Sequence, residues 1–192
     1  MADATGTAQY TVEQFAKDVQ GIMADAADRR KAVEAVRPLL ARLMSTVDLM
    51  ADRYKVSHPD GRVSYHYYRS PDGRLSIGGP SFTPNTPTVV HNHNTWGVIG
   101  IYAGEQRTTR YLREEGQSDP EQCKIRQTEE TVYKPGDIYF LIPPDDIHRI
   151  ETVSKEPSVS IHVLGVDLSR QKRTFFYPEE GTCREVDGES PM

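Results

Sequence analysis

The chain has 192 residues, of which 36% are hydrophobic and 27% charged, and its formal net charge is -5. A chain of this length can bury one core without disulfide staples, so a single domain is expected. The negative charge gives no reason to expect nucleic acid or an anionic membrane as a partner. No run of about 18 apolar residues is present, and the first residues lack a basic start followed by an apolar block, so we expect a cytoplasmic protein.

Residues 1–61 carry a helical pattern and are predicted to form a segment packed on the rest. Residues 1–10 are small and polar and are expected to be loosely attached. Thr11 and Gln14 then mark a capping box ahead of apolar residues at helical spacing. A second apolar stripe covers about residues 28–51, and Pro38 should kink or restart that helix because proline lacks an amide donor. We expect these helices to pack on the outside of a barrel.

From Arg62 the hydrophobic pattern becomes alternating, and residues 62–178 are predicted to form an all-β barrel. A tight turn is expected at 70–73, a breaker-rich loop at 78–87, a hairpin about Gly104, a polar loop at 114–120 and a wrapped or frayed tail at 179–192. Strands are predicted at 63–69, 75–77, 88–91, 96–102, 106–113, 124–128, 131–133, 138–142, 149–153, 158–164 and 173–177. Many short strands between turns are typical of a sandwich or barrel rather than a parallel βαβ sheet.

The cysteines match no zinc-binding or redox motif. Cys123 and Cys183 are far apart in the chain and neither belongs to a closely spaced pair. We expect both to be reduced thiols in a reducing compartment.

Two histidines one residue apart follow an apolar, β-branched run. In an extended segment side chains alternate with a period of two, so His91 and His93 lie on the same face and suit two ligands of one metal. By ligand type a neutral histidine pair accepts iron, zinc, copper or nickel. A second stretch begins with Pro135-Gly-Asp137, continues as an apolar strand and a Pro143-Pro144 loop, and ends at a third histidine, His148.

These motifs resemble those of the cupin superfamily, a double-stranded β-helix barrel that holds one metal. More narrowly, the His91–His93 segment with Trp96-Gly97, the Pro143-to-His148 segment and Ser160-Ile-His162 resemble the thiol dioxygenases, the group of cysteine and 3-mercaptopropionate dioxygenases. The likeness covers residues 67–177. It implies a jelly-roll barrel behind short N-terminal helices, with Fe(II) as cofactor.

The resemblance also implies roles for individual residues. His91, His93 and His148 would be the metal ligands, and Ser160 with His162 would form a hydrogen-bonded pair directed toward the pocket. Most cupins add a glutamate a few residues after the second histidine, but residues 94–98 contain no acid. A site of three imidazoles keeps the full double charge of the ion and open positions, which favours an anionic, chelating substrate such as a thiolate.

A substrate carboxylate would need a cationic partner. Arg69 is expected to hold it, because guanidinium is always charged and pairs with a carboxylate in a bidentate fork. Its alignment with the family's arginine is approximate, so Arg110 and Arg113 remain alternatives. Asp145 and Asp146 are expected to form a turn or to accept hydrogen bonds near the ligand histidines.

The chain departs from the thiol dioxygenase pattern at two positions. Leu164 stands where the family has a tyrosine two residues after the Ser-x-His histidine, and Gly97 or Val98 replaces the cysteine that crosslinks to this tyrosine in animal enzymes. Both changes make the pocket less polar. A tyrosine from another strand could compensate, and the candidates are Tyr67, Tyr68, Tyr102, Tyr111 and Tyr139. Trp96 either packs structurally or shapes the substrate pocket.

Three functions are compatible with these residues. The first is an Fe(II) thiol dioxygenase whose partners are O2 and a small anionic thiol. The second is an Fe(II) cupin dioxygenase that cleaves a carbon-carbon bond in a hydroxyketone or enolate. The third is a non-catalytic cupin that binds a metal or a small ligand.

Overall fold

Two helices precede the strands, and both begin at side-chain caps. The computed structural model describes residues 10–59, 61–114 and 123–188. α1 spans Val12–Ala24, where the hydroxyl of Thr11 accepts a hydrogen bond from the Gln14 amide at 3.2 Å. α2 spans Arg29–Thr46 and is capped by Asp28. The Thr11 half of the predicted capping box is confirmed, but the Gln14 side chain donates to Asp18 at 2.7 Å instead of accepting a hydrogen bond from the Thr11 amide. α2 continues through Pro38 as one helix instead of restarting there.

The helices cover one face of the β structure. Phe15 and Val19 of α1, and Leu40 of α2, are fully buried in a cluster that also contains Val98 and Ile161 from two strands. Burying a side chain of this size stabilises a fold by roughly 1.5–3 kcal/mol. The predicted packing of helices outside the barrel is therefore confirmed. Neither of the described helices is long and apolar enough to cross a membrane.

Twelve strands and two short 3-10 turns follow in the described residues. The turns are Asp52–Tyr54 and Leu168–Arg170. The strands are β1 (Lys55–Ser57), β2 (Val63–Arg69), β3 (Ser76–Phe82), β4 (Val90–His91), β5 (Gly97–Ala103), β6 (Gln106–Arg113), β7 (Ile125–Tyr133), β8 (Ile138–Leu141), β9 (Ile147–Thr152), β10 (Ser158–Leu164), β11 (Lys172–Tyr177) and β12 (Thr182–Asp187).

The strands form two antiparallel sheets of six. One sheet has the order β1-β2-β3-β10-β5-β8 and the other the order β12-β11-β4-β9-β6-β7. In the eight-strand centre, β3-β10-β5-β8 faces β4-β9-β6-β7, and the chain winds between the two sheets as in a jelly roll. The predicted fold class, an all-β double-stranded β-helix of the cupin type with N-terminal helices, is confirmed.

The predicted hairpin about Gly104 is wrong. β5 pairs with β10 and β8, whereas β6 pairs with β7 and β9, so the turn carries the chain from one sheet to the other. Gly104 has φ +69, and a Cβ there would lie 2.8 Å from the Ser158 backbone. The glycine thus permits the tight turn that connects the two sheets. In the sequence, two alternating segments on either side of a glycine have the same pattern whether they pair as a hairpin or belong to different sheets.

Other strand bounds differ because pairing partners override local sequence preference. β3 continues through Gly78, Gly79 and Pro80, which were predicted to be loop, because β2 and β10 flank it on both sides. β7 is one strand where two were predicted. β1 lies inside the predicted helical segment and β12 inside the predicted tail, each paired with a neighbouring strand. The expectation for residues 1–9 and most of the 114–120 loop falls outside the described residues.

The two cysteines are not reduced thiols in this structure. Cys123 and Cys183 form a disulfide with 5.4 Å between their Cα atoms, within the usual range for this bond. The link connects the segment before β7 to β12 across a sequence separation of 60 residues. Neither cysteine belongs to a short motif, so spacing alone gave no sign of the pairing. Because the cytoplasmic expectation depended partly on reduced thiols, it stays a prediction.

Candidate metal centre

Three histidines converge inside the barrel at the β4–β9 pair. His91 ends β4 and stands directly opposite His148 of β9, and His93 follows on the same side of the chain. One ring nitrogen of each histidine lies within 4.8 Å of those of the other two. The ring centroids are 4.4 to 5.2 Å apart. The structure thus brings together the three residues that were predicted as ligands, and all three are buried.

Backbone carbonyls fix the protonation of two of these rings. Nδ1 of His91 lies 2.8 Å from the carbonyl oxygen of Val89, and Nδ1 of His148 lies 2.8 Å from that of Asp146. A carbonyl only accepts, so the proton is on Nδ1 and the lone pair is on Nε2. Orientation by a hydrogen bond from the other nitrogen is usual for metal-ligating histidine. Both rings therefore present Nε2 in its coordinating form.

The inward nitrogens have no partner in the part of the chain that the structure describes. Nε2 of His91, Nε2 of His148 and both ring nitrogens of His93 are buried without a hydrogen-bond partner among the described residues. A buried polar atom left without a partner costs about 1–3 kcal/mol. Three such atoms facing each other are accounted for by a cation that accepts their lone pairs. The donor set fits a divalent first-row transition metal.

Electrostatics keep these imidazoles neutral. Burial lowers the pKa of His91 and of His93 well below the usual value, and the neighbouring histidines and Arg173 lower both further. Burial also lowers the pKa of His148 to about 4. Metal ligation requires the unprotonated ring. The site therefore holds its ligands in the required state at neutral pH.

The loop after His93 is held in place by a buried carboxylate. Asp146 accepts hydrogen bonds from the amides of His93 at 3.1 Å and Asn94 at 2.9 Å, and burial raises its pKa. Asn94 has φ 53, a left-handed conformation that asparagine tolerates better than most residues. Gln171 donates to the His93 carbonyl at 2.6 Å. Asp146 has the predicted role of hydrogen-bond partner: its carboxylate contacts the backbone of the ligand segment, and its backbone carbonyl accepts from the His148 ring.

Ser160 and His162 form the predicted pair. Both lie on β10 and are buried, with the Ser160 hydroxyl 2.9 Å from Nε2 of His162. The His162 ring centroid is 6.2 Å from that of His93. Burial lowers the pKa of His162 to about 3, so this ring is also neutral. The pair therefore lies next to the three-histidine cluster without belonging to it.

A cavity of about 650 Å³ reaches this region from the surface. His93, His162 and Leu164 line its inner part, which is large enough for a small-molecule ligand. Leu164 occupies the wall where the resembled family has a tyrosine. Of the five tyrosines considered as replacements, Tyr68 lines the cavity, and Tyr65, which the sequence did not single out, lines it as well.

The other candidate tyrosines have structural contacts elsewhere. Tyr67 donates to the carbonyl of Leu49 at 2.7 Å, and the hydroxyl of Tyr102 accepts from the Leu49 amide at 3.3 Å, so both attach the segment after α2 to the barrel. Tyr139 stacks on Tyr133, and Tyr111 packs in the cluster around Ile147. None of these lines the cavity.

Three arginines line the cavity, and they differ in burial: Arg62 and Arg69 are exposed, whereas Arg173 is buried. Arg69 has a side chain that is 42% exposed and lies 3.5 Å from the carboxylate of Asp167. Arg173 on β11 is 3% exposed, with its guanidinium 5.0 Å from the centroid of the Phe175 ring. Burial lowers the pKa of Arg173 to about 10, so it is still charged at neutral pH. Arg173 was not among the residues predicted from the sequence, although its two-residue spacing from Phe175 marks an inward position of an alternating strand.

The alternative arginines are engaged on other surfaces. Arg110 donates to the carbonyl of Phe140 at 2.8 Å and lies 3.6 Å from the carboxylate of Glu129. Arg113 lies 3.1 Å from the sulfur of Cys123. Neither lines the cavity. Arg69 and Arg173, together with the exposed Arg62, are therefore the described arginines that line the cavity.

Trp96 packs between the barrel and the helices. It is 9% exposed, belongs to the core cluster of α1 and α2 and does not line the cavity. A Cβ added at Gly165 would collide with the indole ring, so glycine permits this close approach. The structure thus favours the packing role for Trp96 over substrate shaping.

Comparisons with known proteins give distant likenesses and no family. No family model matches the chain. Solved structures similar to it include an uncharacterized conserved protein with a double-stranded beta-helix domain from Klebsiella pneumoniae (16% identity, 60% of this chain and 86% of that chain, TM-score 0.41). A cupin superfamily protein from Desulfitobacterium hafniense matches at 17% identity over 58% of this chain and 84% of that chain, TM-score 0.41. Lactobacillus farciminis oxalate decarboxylase matches at 13% identity over 59% of this chain and 31% of that chain, TM-score 0.42. These likenesses are distant, and it is the geometry of the three histidines that indicates a metal site.

Proposed function

We propose that this chain is a non-haem Fe(II)-dependent dioxygenase that oxidises a small thiol of the mercapto-acid type to its sulfinate. The observation that carries the proposal is the convergence of three buried imidazole nitrogens without protein partners beside a cavity lined by a buried arginine. In the balanced reaction a thiolate and O2 give a sulfinate, with both oxygen atoms on sulfur. Bound Fe(II) would supply the centre at which the thiolate and O2 react.

The arginines would bind the acid group of the substrate. Arg173 is the stronger candidate, because its buried guanidinium meets less solvent screening than the half-exposed Arg69. A bidentate pair with Arg173 would orient the thiol toward the histidine cluster, which is the positioning that converts binding energy into rate. Arg69, near the carboxylate of Asp167, would attract the anion on its way into the cavity.

The remaining cavity residues would control polarity around the reacting sulfur. His162 lines the cavity as a neutral ring, so it can donate one hydrogen bond without adding charge. Leu164 presents an apolar wall and helps to keep water away from the oxidised product. His93 of the histidine cluster lines the same cavity.

Oxygen consumption by the Fe(II)-loaded protein tests the proposal. A panel of 3-mercaptopropionate, mercaptoacetate and cysteine is compared with the matching hydroxy acids, which keep the carboxylate and lack the thiol. We expect uptake with at least one thiol and none with the hydroxy acids, and labelled oxygen gas should deliver both atoms to the sulfinate. Absence of uptake with every thiol, from protein that holds one iron per chain, would contradict the proposal.

A second candidate is supported by Leu164. Leu164 provides no hydroxyl at the position of the family's tyrosine, and a three-histidine site accepts a bidentate oxygen ligand equally well. That arrangement suits an Fe(II) dioxygenase that cleaves a carbon-carbon bond of a hydroxyketone or enol. Uptake with hydroxyketones alone would favour this reaction, and uptake with neither class would favour a metal-binding cupin without catalytic activity.

A further inference from the structure

A row of buried polar side chains runs through the barrel interior behind His162. It links Thr152 of β9, Ser158 and Ser160 of β10 and Gln106 of β6, each at most 1% exposed. The contacts are Thr152 to Ser158 at 2.6 Å, Gln106 to Ser158 at 2.9 Å, Gln106 to Ser160 at 3.4 Å and Ser160 to His162 at 2.9 Å. We call these four residues the Gln106 row.

The hydrogen bonds of the Gln106 row have a defined donor-to-acceptor direction, which is determined at the Thr152 end. Thr152 contacts the carbonyl oxygen of Phe82 at 3.0 Å, and a carbonyl can only accept. The single hydroxyl proton of Thr152 is therefore given to Phe82. In its contact with Ser158, Thr152 must then accept, so the proton of Ser158 is given to Thr152.

Gln106 donates hydrogen bonds to both Ser158 and Ser160. Because the only proton of Ser158 is already donated, the group that faces Ser158 from Gln106 must be the NH2 and not the amide oxygen. The amide oxygen on the other side is buried without a partner among the described residues, so it does not bias this choice. The second proton of the same NH2 points to Ser160, whose hydroxyl accepts it.

Ser160 then determines the tautomer of His162. The Ser160 oxygen accepts from Gln106, and among the described residues Nε2 of His162 is the one acceptor within reach of the Ser160 proton. Donation to Nε2 therefore satisfies both groups and makes Nε2 the unprotonated nitrogen. A neutral imidazole with a bare Nε2 carries its proton on Nδ1. His162 lines the cavity, and its contact with Ser160 involves Nε2 alone.

We infer that Gln106 is a positioning residue that, through Ser160, holds His162 as the Nδ1-H tautomer and makes it a hydrogen-bond donor to a ligand in the cavity. Because the Leu164 side chain has no hydrogen-bond donor, His162 would donate the hydrogen bond to the ligand. The tautomer follows from the hydrogen bonds alone, whereas its use in catalysis rests on the proposed function.

Nitrogen-15 NMR of histidine-labelled protein tests the tautomer without any turnover. The protein is measured metal-free and with Zn(II), a diamagnetic probe, and the His162 signal is assigned from its loss in His162→Gln. We expect His162 to show a protonated Nδ1 and an unprotonated Nε2 in both states. A dominant Nε2-H form in the unsubstituted protein would overturn the inference.

Two variants break the row at different points. Gln106→Met removes the donor to Ser160, and Thr152→Val removes the fixed end, so in each we expect both tautomers of His162 to be populated. Thr109→Val, on β6 but outside the row, is the matched control and should leave one tautomer. If one row variant fails to fold, the other still decides, and an unchanged single tautomer in a folded row variant would contradict the role of Gln106.

Oxygen uptake then tests the consequence for catalysis. Losing one oriented hydrogen bond of about 1.4 kcal/mol should lower kcat about tenfold in Gln106→Met, with KM for the thiol unchanged. An equal rise in KM would indicate general damage to the cavity and count against a positioning role. If the protein consumes no oxygen with any thiol, the proposed function fails while the NMR result still stands or falls by itself.

Discussion

The barrel interior contains two buried polar regions, which differ in how many of their polar atoms have hydrogen-bond partners in the protein. In the Gln106 row, each hydroxyl has a hydrogen-bond partner and the row ends on a backbone carbonyl. In the histidine cluster, the nitrogens that face each other have none among the described residues. Buried polar groups are normally satisfied by the protein itself. The row is therefore satisfied within the fold except at the Gln106 amide oxygen, whereas the inward nitrogens of the cluster remain available to a cation.

Removal of one cluster histidine should have the largest effect. We expect His148→Ala to lower affinity for Fe(II) by more than about 100-fold, because losing a direct ligand should cost at least as much as losing a residue that only orients one. Iron per chain after dialysis is the measurement. His66→Ala is the control, since His66 lines the cavity but lies outside the cluster. Full iron retention in His148→Ala would break the contrast between the two regions.

The buried arginine should matter more than the exposed one. We expect Arg173→Met to raise KM for a mercapto-acid about 100-fold, because hydrogen bonds to charged groups are worth about 1.5–3 kcal/mol. Arg69→Met should raise KM by about tenfold or less, since solvent screens a half-exposed pair.

Steady-state oxygen uptake measures both effects, and Arg110→Met is the control on another surface. A larger effect from Arg69→Met would return the anchor to the residue that the sequence analysis favoured. In either case iron content should be unchanged, because neither arginine belongs to the cluster.

Metal-free stability compares the two regions directly. Gln106→Leu should lower the free energy of unfolding by about 1–3 kcal/mol, because it removes the donor that two buried hydroxyls share. His93→Leu removes a ring whose nitrogens have no partner among the described residues, so its effect should be near zero or stabilising. Urea unfolding of the chelated protein measures both. Equal losses would show that the two regions contribute to folding in the same way.

The pH dependence of stability should sharpen the comparison further. His162 is neutral in the fold, with its pKa lowered to about 3, whereas the unfolded chain takes up a proton near its usual value of 6.5. The unfolded state therefore binds more protons between these values, so the free energy of unfolding falls as pH decreases from 6.5 towards 3.

We expect His162→Gln to lessen this fall by about 1 kcal/mol between pH 6 and 5 in the metal-free protein. Urea titrations at the two pH values, compared with those of the unsubstituted chain, give the difference. An unaltered slope in the variant would mean that His162 is protonated in the fold.

The His91 and His93 pair was predictable from sequence because its signal is local, whereas His148 was assigned through the resemblance of its segment to a cupin motif. The two-residue spacing of His91 and His93 places both on one face, and the strand before His148 is apolar and bounded by prolines. Arg173 was not predicted, because only the pairing of β11 with β4 brings it to the cavity. The corner at Gly104 and the Cys123–Cys183 link likewise depend on which strands become neighbours, and that information is not contained in any short window.

The pairing of β11 with β4 also sets a distance. Phe175 stands opposite His91, and β4 is further joined to β11 by the Thr174 amide, which donates to the Asn92 side chain at 2.8 Å. Arg173 lies two residues, or roughly 7 Å of strand, from Phe175. The pairing of the two strands therefore fixes how far the Arg173 backbone lies from the histidine cluster. A mercapto-acid of the proposed kind would have to match this distance with the number of carbons between its carboxylate and its thiol.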